Sequence, residues 1–142
     1  VKVLIGDTET NDLLDPKPGE KRMDRIHCVC LIEPGGAQVL RFHDQPDLCR
    51  RDGTIRDALQ LLADADERWF HNGIGFDDPA IRLCYPDWAP KGVMRDTLII
   101  GRTIFPDEHL KHLDMTALKR KRPFPKNLVG RHSLEAWGYR LK

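Results

Sequence analysis

The apolar run Val1-Lys2-Val3-Leu4-Ile5 leads directly into Gly6-Asp7-Thr8-Glu9-Thr10, and few folds suit that junction. The run is short, β-branched and nearly continuous in hydrophobicity, which predicts a strand over residues 1–8 buried on both faces. Side chains at i and i+2 of a strand share a side, so Asp7 and Glu9 aim two carboxylates at one point. Held together at the exit of a buried strand, like charges repel, and a hard divalent cation with oxygen ligands relieves that repulsion. The competing reading is a strand that ends in a polar turn, where Asp, Thr and Asn are common.

The remainder alternates between strand and helix signals. Asn11 to Asp24 is polar and carries Pro16, Pro18 and Gly19, as a loop does. Arg25–Glu33 and Ala37–Phe42 read as strands joined by the turn Pro34-Gly35-Gly36, an antiparallel hairpin. His43 to Gly53 reads as a loop. Thr54–Ala65 is the clearest helix: Thr54 suits the N-cap, Asp57 completes a capping box, and Ile55, Ala58, Leu59, Leu62 and Ala65 line one face. A short strand follows at Arg68–His71, and the helix between strands predicts a parallel crossover. Asp77 or Asp78 is expected to cap a helix reaching Cys84, with Pro79 in its first turn. Tyr85 to Gly92 breaks it. Val93–Arg95 reads as a short fifth strand, and helices are expected at Asp96–Ile104, Glu108–Leu118 and, capped by Ser133, Leu134–Leu141. This order predicts one α/β domain with a mixed sheet flanked by helices.

A second polar constellation follows the fourth strand, His71-Asn72-Gly73-Ile74-Gly75-Phe76-Asp77. Its glycines permit tight turns and close ligand approach. Asn72 offers a donor and an acceptor, and Phe76 a flat face for a base. Parallel neighbours end on the same sheet edge, where open α/β sheets bind ligands, so Asp7, Glu9 and Asp77 can meet there. Taken alone, Asp77 reads more readily as only a helix cap.

Asp-x-Glu on the first strand followed by Asn-x-x-x-Phe-Asp resembles the first two motifs of the DEDD 3′→5′ exonucleases. The resemblance is closer still to the proofreading domain of podophage-type family A DNA polymerases. Four stretches carry it in the family's order: Asp7 to Leu14, Phe70 to Ala80, Asp96-Thr97-Leu98-Ile99, and His132 to Leu141. It implies a ribonuclease-H-like fold with a mixed five-stranded sheet, and two-metal hydrolysis of the 3′-terminal phosphodiester of single-stranded DNA. Mg²⁺ would be the ion, with Mn²⁺ able to substitute. Asp7, Glu9 and Asp77 would be the metal ligands, with Asp7 bridging both ions. Thr8, Thr10 and Leu13 would contact the terminal nucleotide, Asn72 and Phe76 would hold the strand near the cleaved bond, and Asp96 would support the site. The family's third motif, a Tyr or His followed four residues later by Asp, is absent. The chain thus reads as an exonuclease domain, residues 1–142, cut before its fourth carboxylate. The rest of a polymerase chain would be its partner, and the host cytoplasm its location.

The basic run Lys119-Arg120-Lys121-Arg122 reads either as a contact for phosphates or as a solvated loop. With a net charge of +1, nucleic-acid affinity must come from such a local patch. Cys28, Cys30, Cys49 and Cys84 lack metal-binding spacing and read as buried free thiols of a reducing compartment. His109 and His112 read as surface histidines, and Trp69, Trp88 and Trp137 as core or half-buried aromatics. No apolar run approaches a membrane span, and no signal peptide is evident. Two other functions compete: a free-standing DEDD exonuclease acting on RNA or short oligonucleotides, and a catalytically silent nucleic-acid-binding fragment.

Overall fold

The computed structural model describes residues 1–45 and 51–142; Cys49 and part of the loop expected at His43–Gly53 lie outside them. Two compact units are present, Val1–Asp96 and Thr97–Lys142.

The first unit contains β1 (Val3–Thr10), β2 (Ile26–Ile32), β3 (Leu40–Phe42), α1 (Ile55–Ala63), β4 (Glu67–Phe70), α2 (Asp77–Cys84) and β5 (Val93–Asp96). The strands form one mixed five-stranded sheet in the order β3-β2-β1-β4-β5. The expected hairpin is there: β2 pairs antiparallel with β1 and with β3. β4 lies parallel to both β1 and β5. The strands expected first and fourth are thus neighbours.

α1 forms as its sequence dictates. Thr54 accepts a hydrogen bond from the Asp57 N–H, and Asp57 accepts one from the Thr54 N–H, closing the capping box. Its face of Ile55, Ala58, Leu59 and Leu62 joins Ile81 of α2 and Leu4, Val29, Leu31, Phe42 and Phe70 of the sheet in one core. Gly6 allows the close fit there, since a Cβ at this position would stand 2.7 Å from the Phe70 ring.

The core corrects the expectation that β1 is buried on both faces. Leu4, Gly6 and Thr8 point into it, whereas Ile5 stays 42% exposed and Asp7 and Glu9 are exposed. Both α1 and α2 contribute to the core beneath the first face, and β1 therefore alternates like a half-covered strand.

The second unit contains α3 (Thr97–Ile104), α4 (Asp107–Lys119), a short 3₁₀ turn (Lys126–Leu128) and α5 (Leu134–Arg140). Ser133 caps α5 by accepting from the Ala136 N–H. Phe124, Leu128 and Ala136 form a small core, with Leu118 and Val129 packed against it. A buried ion pair joins α4 to α5: Arg140 Nη2 lies 2.7 Å from Asp114 Oδ2.

Among the described residues, no helix is long and apolar enough to cross a membrane. Cys28, Cys30 and Cys84 are free, and they are half-buried rather than buried.

Candidate active site

β1 runs past its neighbour. Its last pair with β4 is Ile5 with Trp69, so the β4-facing edge of β1 is vacated beyond that point. The first turn of α2 supplies a carboxylate there. The Thr8 N–H donates to Asp77 Oδ1 at 3.1 Å, and the Thr8 hydroxyl donates to the same oxygen at 2.7 Å. A strand edge that would otherwise carry an unpaired donor is closed by an acid 69 residues away in sequence.

This overturns the simpler role for Asp77. The N-cap position of α2 is Phe76, with no side-chain cap bond, and Asp77 is the first helical residue. Its carboxylate is spent on β1 and is 3% exposed. Burial pushes the carboxyl up to about 6; the Thr8 hydroxyl bond opposes this and the Asp7 charge adds to it.

Asp7 and Glu9 project from the other, exposed face of β1. Across the strand pair they face Cys30 and Cys28 of β2. Burial raises the Cys28 thiol, with Cys30, Glu9 and Asp7 adding to the effect, which keeps it protonated. Thr8 lies on the core face and is 4% exposed. Its hydroxyl holds Asp77 and is not turned outward for the substrate contact expected of it. Strand alternation alone places Thr8 opposite Asp7, a signal present in the sequence.

The loop after β4 is fixed from β5. Asp96, 4% exposed, accepts the Asn72 N–H at 3.1 Å on one oxygen and the Ile74 N–H at 3.0 Å on the other. Asn72 adopts a left-handed backbone, φ 68°, and its carbonyl accepts from the N–H groups of Gly75 and Phe76. A side chain on Gly75 would collide with Asn72, its Cβ standing 2.6 Å from Oδ1. Phe76 is half-buried beside Asp77. Leu13 is 52% exposed, an apolar side chain open to solvent, and the Thr10 hydroxyl donates to the Asp12 carbonyl. Lys119, Arg120, Lys121 and Arg122 are exposed and belong to the second unit.

The donors offered at the end of β1 are all carboxylate oxygens, the set a hard cation prefers. Asp77 also shows the electrostatic strain that such a cation relieves, a desolvated acid beside another acid. In the side-chain positions described, however, no three His, Cys, Asp or Glu residues close into a group that could hold a metal. Asp77 is held by two hydrogen bonds from Thr8, whereas Asp7 and Glu9 are exposed. A donor set of this chemistry fits Mg²⁺, which keeps waters of its own.

A mixed five-stranded sheet with this strand order, and acids at the end of its central strand, defines the chain as an α/β protein of ribonuclease-H-like fold. A solved family B DNA polymerase from the archaeon Pyrobaculum calidifontis shares the fold at a TM-score of 0.50 and 17% identity, over 96% of this chain and 21% of that one. The chain is homologous to the DNA-directed DNA polymerases of two phages. It is 30% identical to that of Escherichia phage T7 over 146 residues, a match that takes in 98% of this chain. With that of Enterobacteria phage T3 it is 30% identical over 149 residues, again 98% of this chain. It spans 19% of the length of each of these relatives. No family model matches the chain.

Proposed function

We propose that the chain is the 3′→5′ exonuclease part of a DNA polymerase, hydrolysing the terminal phosphodiester of single-stranded DNA with two bound Mg²⁺. The observation that carries this reading is the anchoring of Asp77 on Thr8, in the strand that also bears Asp7 and Glu9. Homology to phage DNA polymerases supports it.

In this mechanism Asp77 is the rigid ligand. Thr8 orients it, and its burial excludes water from one side of the site. Asp7 and Glu9, on the exposed face of β1, would complete the set that holds the ions. When bound, the ions supply an ionised water near neutral pH and offset charge on the departing 3′ oxygen. Phe76 offers its ring to the terminal bases, Leu13 packs against the last base, and Asn72 holds the adjacent backbone. Asp96 keeps the Asn72–Phe76 loop in shape and touches no substrate. Selectivity for a 3′ end follows from shape, because a frayed single strand can enter where a duplex cannot.

A silent nucleic-acid-binding fragment is favoured by one observation, the unclosed carboxylate set. Digestion of a 5′-labelled single strand in Mg²⁺ separates the two. Stepwise shortening from the 3′ end is expected, abolished by EDTA and reduced at least about a thousandfold in Asp7→Ala, the loss of several kcal/mol of metal-stabilised charge. Should the 142 residues fail to digest, the same assay on the polymerase-length protein decides. No shortening there, or full activity of Asp7→Ala, overturns the assignment.

A further inference from the structure

The helical unit carries an open cavity that the proposed hydrolysis does not use. It measures about 350 Å³, at the small end of the range for ligand pockets. Its lining mixes polar groups with apolar and aromatic side chains, among them Ala117 on α4, Phe105 just before that helix, and Trp137 and Tyr139 on α5. Phe105 meets Trp137 edge to face, their ring centroids 5.5 Å apart. Arg120 and Arg122, at the C-terminal end of α4, complete the lining.

The charge balance of this cavity is one-sided. Asp114 is the single acid among the described residues that line it, and it is fully engaged. Arg140 donates to both its oxygens, at 2.9 and 2.7 Å, and the Gly130 N–H donates at 2.9 Å. Arg140 is neutralised by the same pair, with its guanidinium 4.9 Å above the Trp137 ring. Arg120 and Arg122 are exposed and make no ion pair among the described residues. Lys119 and Lys121 in the same run are exposed as well. A cavity lined by apolar and aromatic side chains together with two exposed, uncompensated cations suits a flat ring attached to phosphates. An apolar protein side chain would use the walls and leave the cations without a role.

We propose that this cavity is a base-binding subsite for single-stranded nucleic acid, in which one base lies in the cavity against its aromatic side chains and Arg120 and Arg122 hold its flanking phosphates. The proposal rests on the nucleic-acid half of the function proposed above and not on cleavage. Combining stacking surfaces with a basic track is the general means of binding single strands without reading sequence.

The test measures binding in EDTA, where no strand is cut, by fluorescence anisotropy. The probes are a labelled oligothymidylate about twelve nucleotides long, within the span such surfaces cover, and an abasic strand of equal length. The wild-type chain should bind the oligothymidylate about tenfold or more tightly than the abasic strand, the effect of one or two stacked bases. Ala117→Trp, which fills the cavity, and Tyr139→Ala, which opens its wall, should each remove that preference, and Tyr139→Phe should retain it. Arg120→Gln with Arg122→Gln should weaken both strands alike. Thermal melts identify any variant that fails to fold, and the two cavity variants alter the walls in opposite directions. Equal affinity of the wild type for both strands, or a base preference that survives both cavity variants, overturns the proposal and leaves the cavity to an apolar partner. Base preference is read in EDTA and cleavage in Mg²⁺, so failure of the nuclease reading and failure of this one are distinguishable.

Discussion

A carboxylate that accepts two hydrogen bonds ordinarily titrates below its free value, yet Asp77 titrates at about 6 against 3.8, because burial outweighs the Thr8 bonds and the Asp7 charge adds to it. The displacement is worth about 3 kcal/mol. Because the folded value lies above the unfolded one, the penalty is absent below pH ~4 and complete above pH ~6. The metal-free protein should lose this stability as pH rises through that window. Asp77→Asn keeps an acceptor for Thr8 but cannot ionise. Urea unfolding in EDTA should find this variant more stable than the wild type at pH 7 by up to about 3 kcal/mol, with the difference vanishing near pH 4. Its digestion activity should be lost. A variant no more stable at pH 7 would mean that Asp77 is not desolvated as described. Arg68 poses the same problem with the opposite charge. It is 3% exposed on the core side of β4, and its Nε and Nη1 have no hydrogen-bond partner among the described residues. Burial lowers its pKa, partly opposed by the charge of Asp78. Exchanging a poorly satisfied buried cation for an apolar side chain of similar length is often stabilising by about 1–3 kcal/mol. Arg68→Met should therefore shift the urea midpoint upward, and a downward shift would show that its contact with the Trp88 ring, 5.7 Å away, outweighs desolvation.

At the scale of elements, β5 matters to the site through one side chain. Asp96 satisfies two N–H groups of the loop that carries Asn72 and Phe76. Removing it leaves two donors unpaired at an expected cost of about 1–3 kcal/mol each at most. In Asp96→Ala, hydrogen exchange at Asn72 and Ile74 should rise while the amides of α1 keep their protection. Digestion should slow through a weaker grip on the strand, read as a higher KM. Unchanged exchange would remove Asp96 from the support of this loop. Elements built from local signals were readable from the chain: Thr54 and Asp57 mark the start of α1, and the spacing from Ile55 to Leu62 marks its buried face. The β1–β4 pairing followed from the intervening helix. What could not be read depends on contacts distant in sequence. No residue near Asp77 announces Thr8 as its partner, so capping looked sufficient. The exposure of Ile5 depends on which face of the sheet the helices cover, and a continuous apolar run cannot say.

At the scale of the whole molecule, the formal charge of +1 forbids a general attraction to DNA, so any affinity must be local. In the first unit, the exposed Asp7 and Glu9 at the end of β1 repel a phosphate strand. In the second unit, Lys119, Arg120, Lys121 and Arg122 stand exposed in sequence. Under the proposed function, attraction and cleavage would fall to different units, and salt and metal should act on them separately. For single strands the logarithm of the binding constant falls with that of the salt concentration by about 0.7 per phosphate neutralised. If all four cations engage, replacing them with Gln should make the slope shallower by about 3, measured with an oligonucleotide in EDTA. Asp7→Ala should leave the slope of the wild-type chain nearly unchanged. A slope indifferent to the four substitutions would mean that the basic run is only a solvated loop, and that the strand is captured at the carboxylate end alone, where binding would then require divalent cation from the outset.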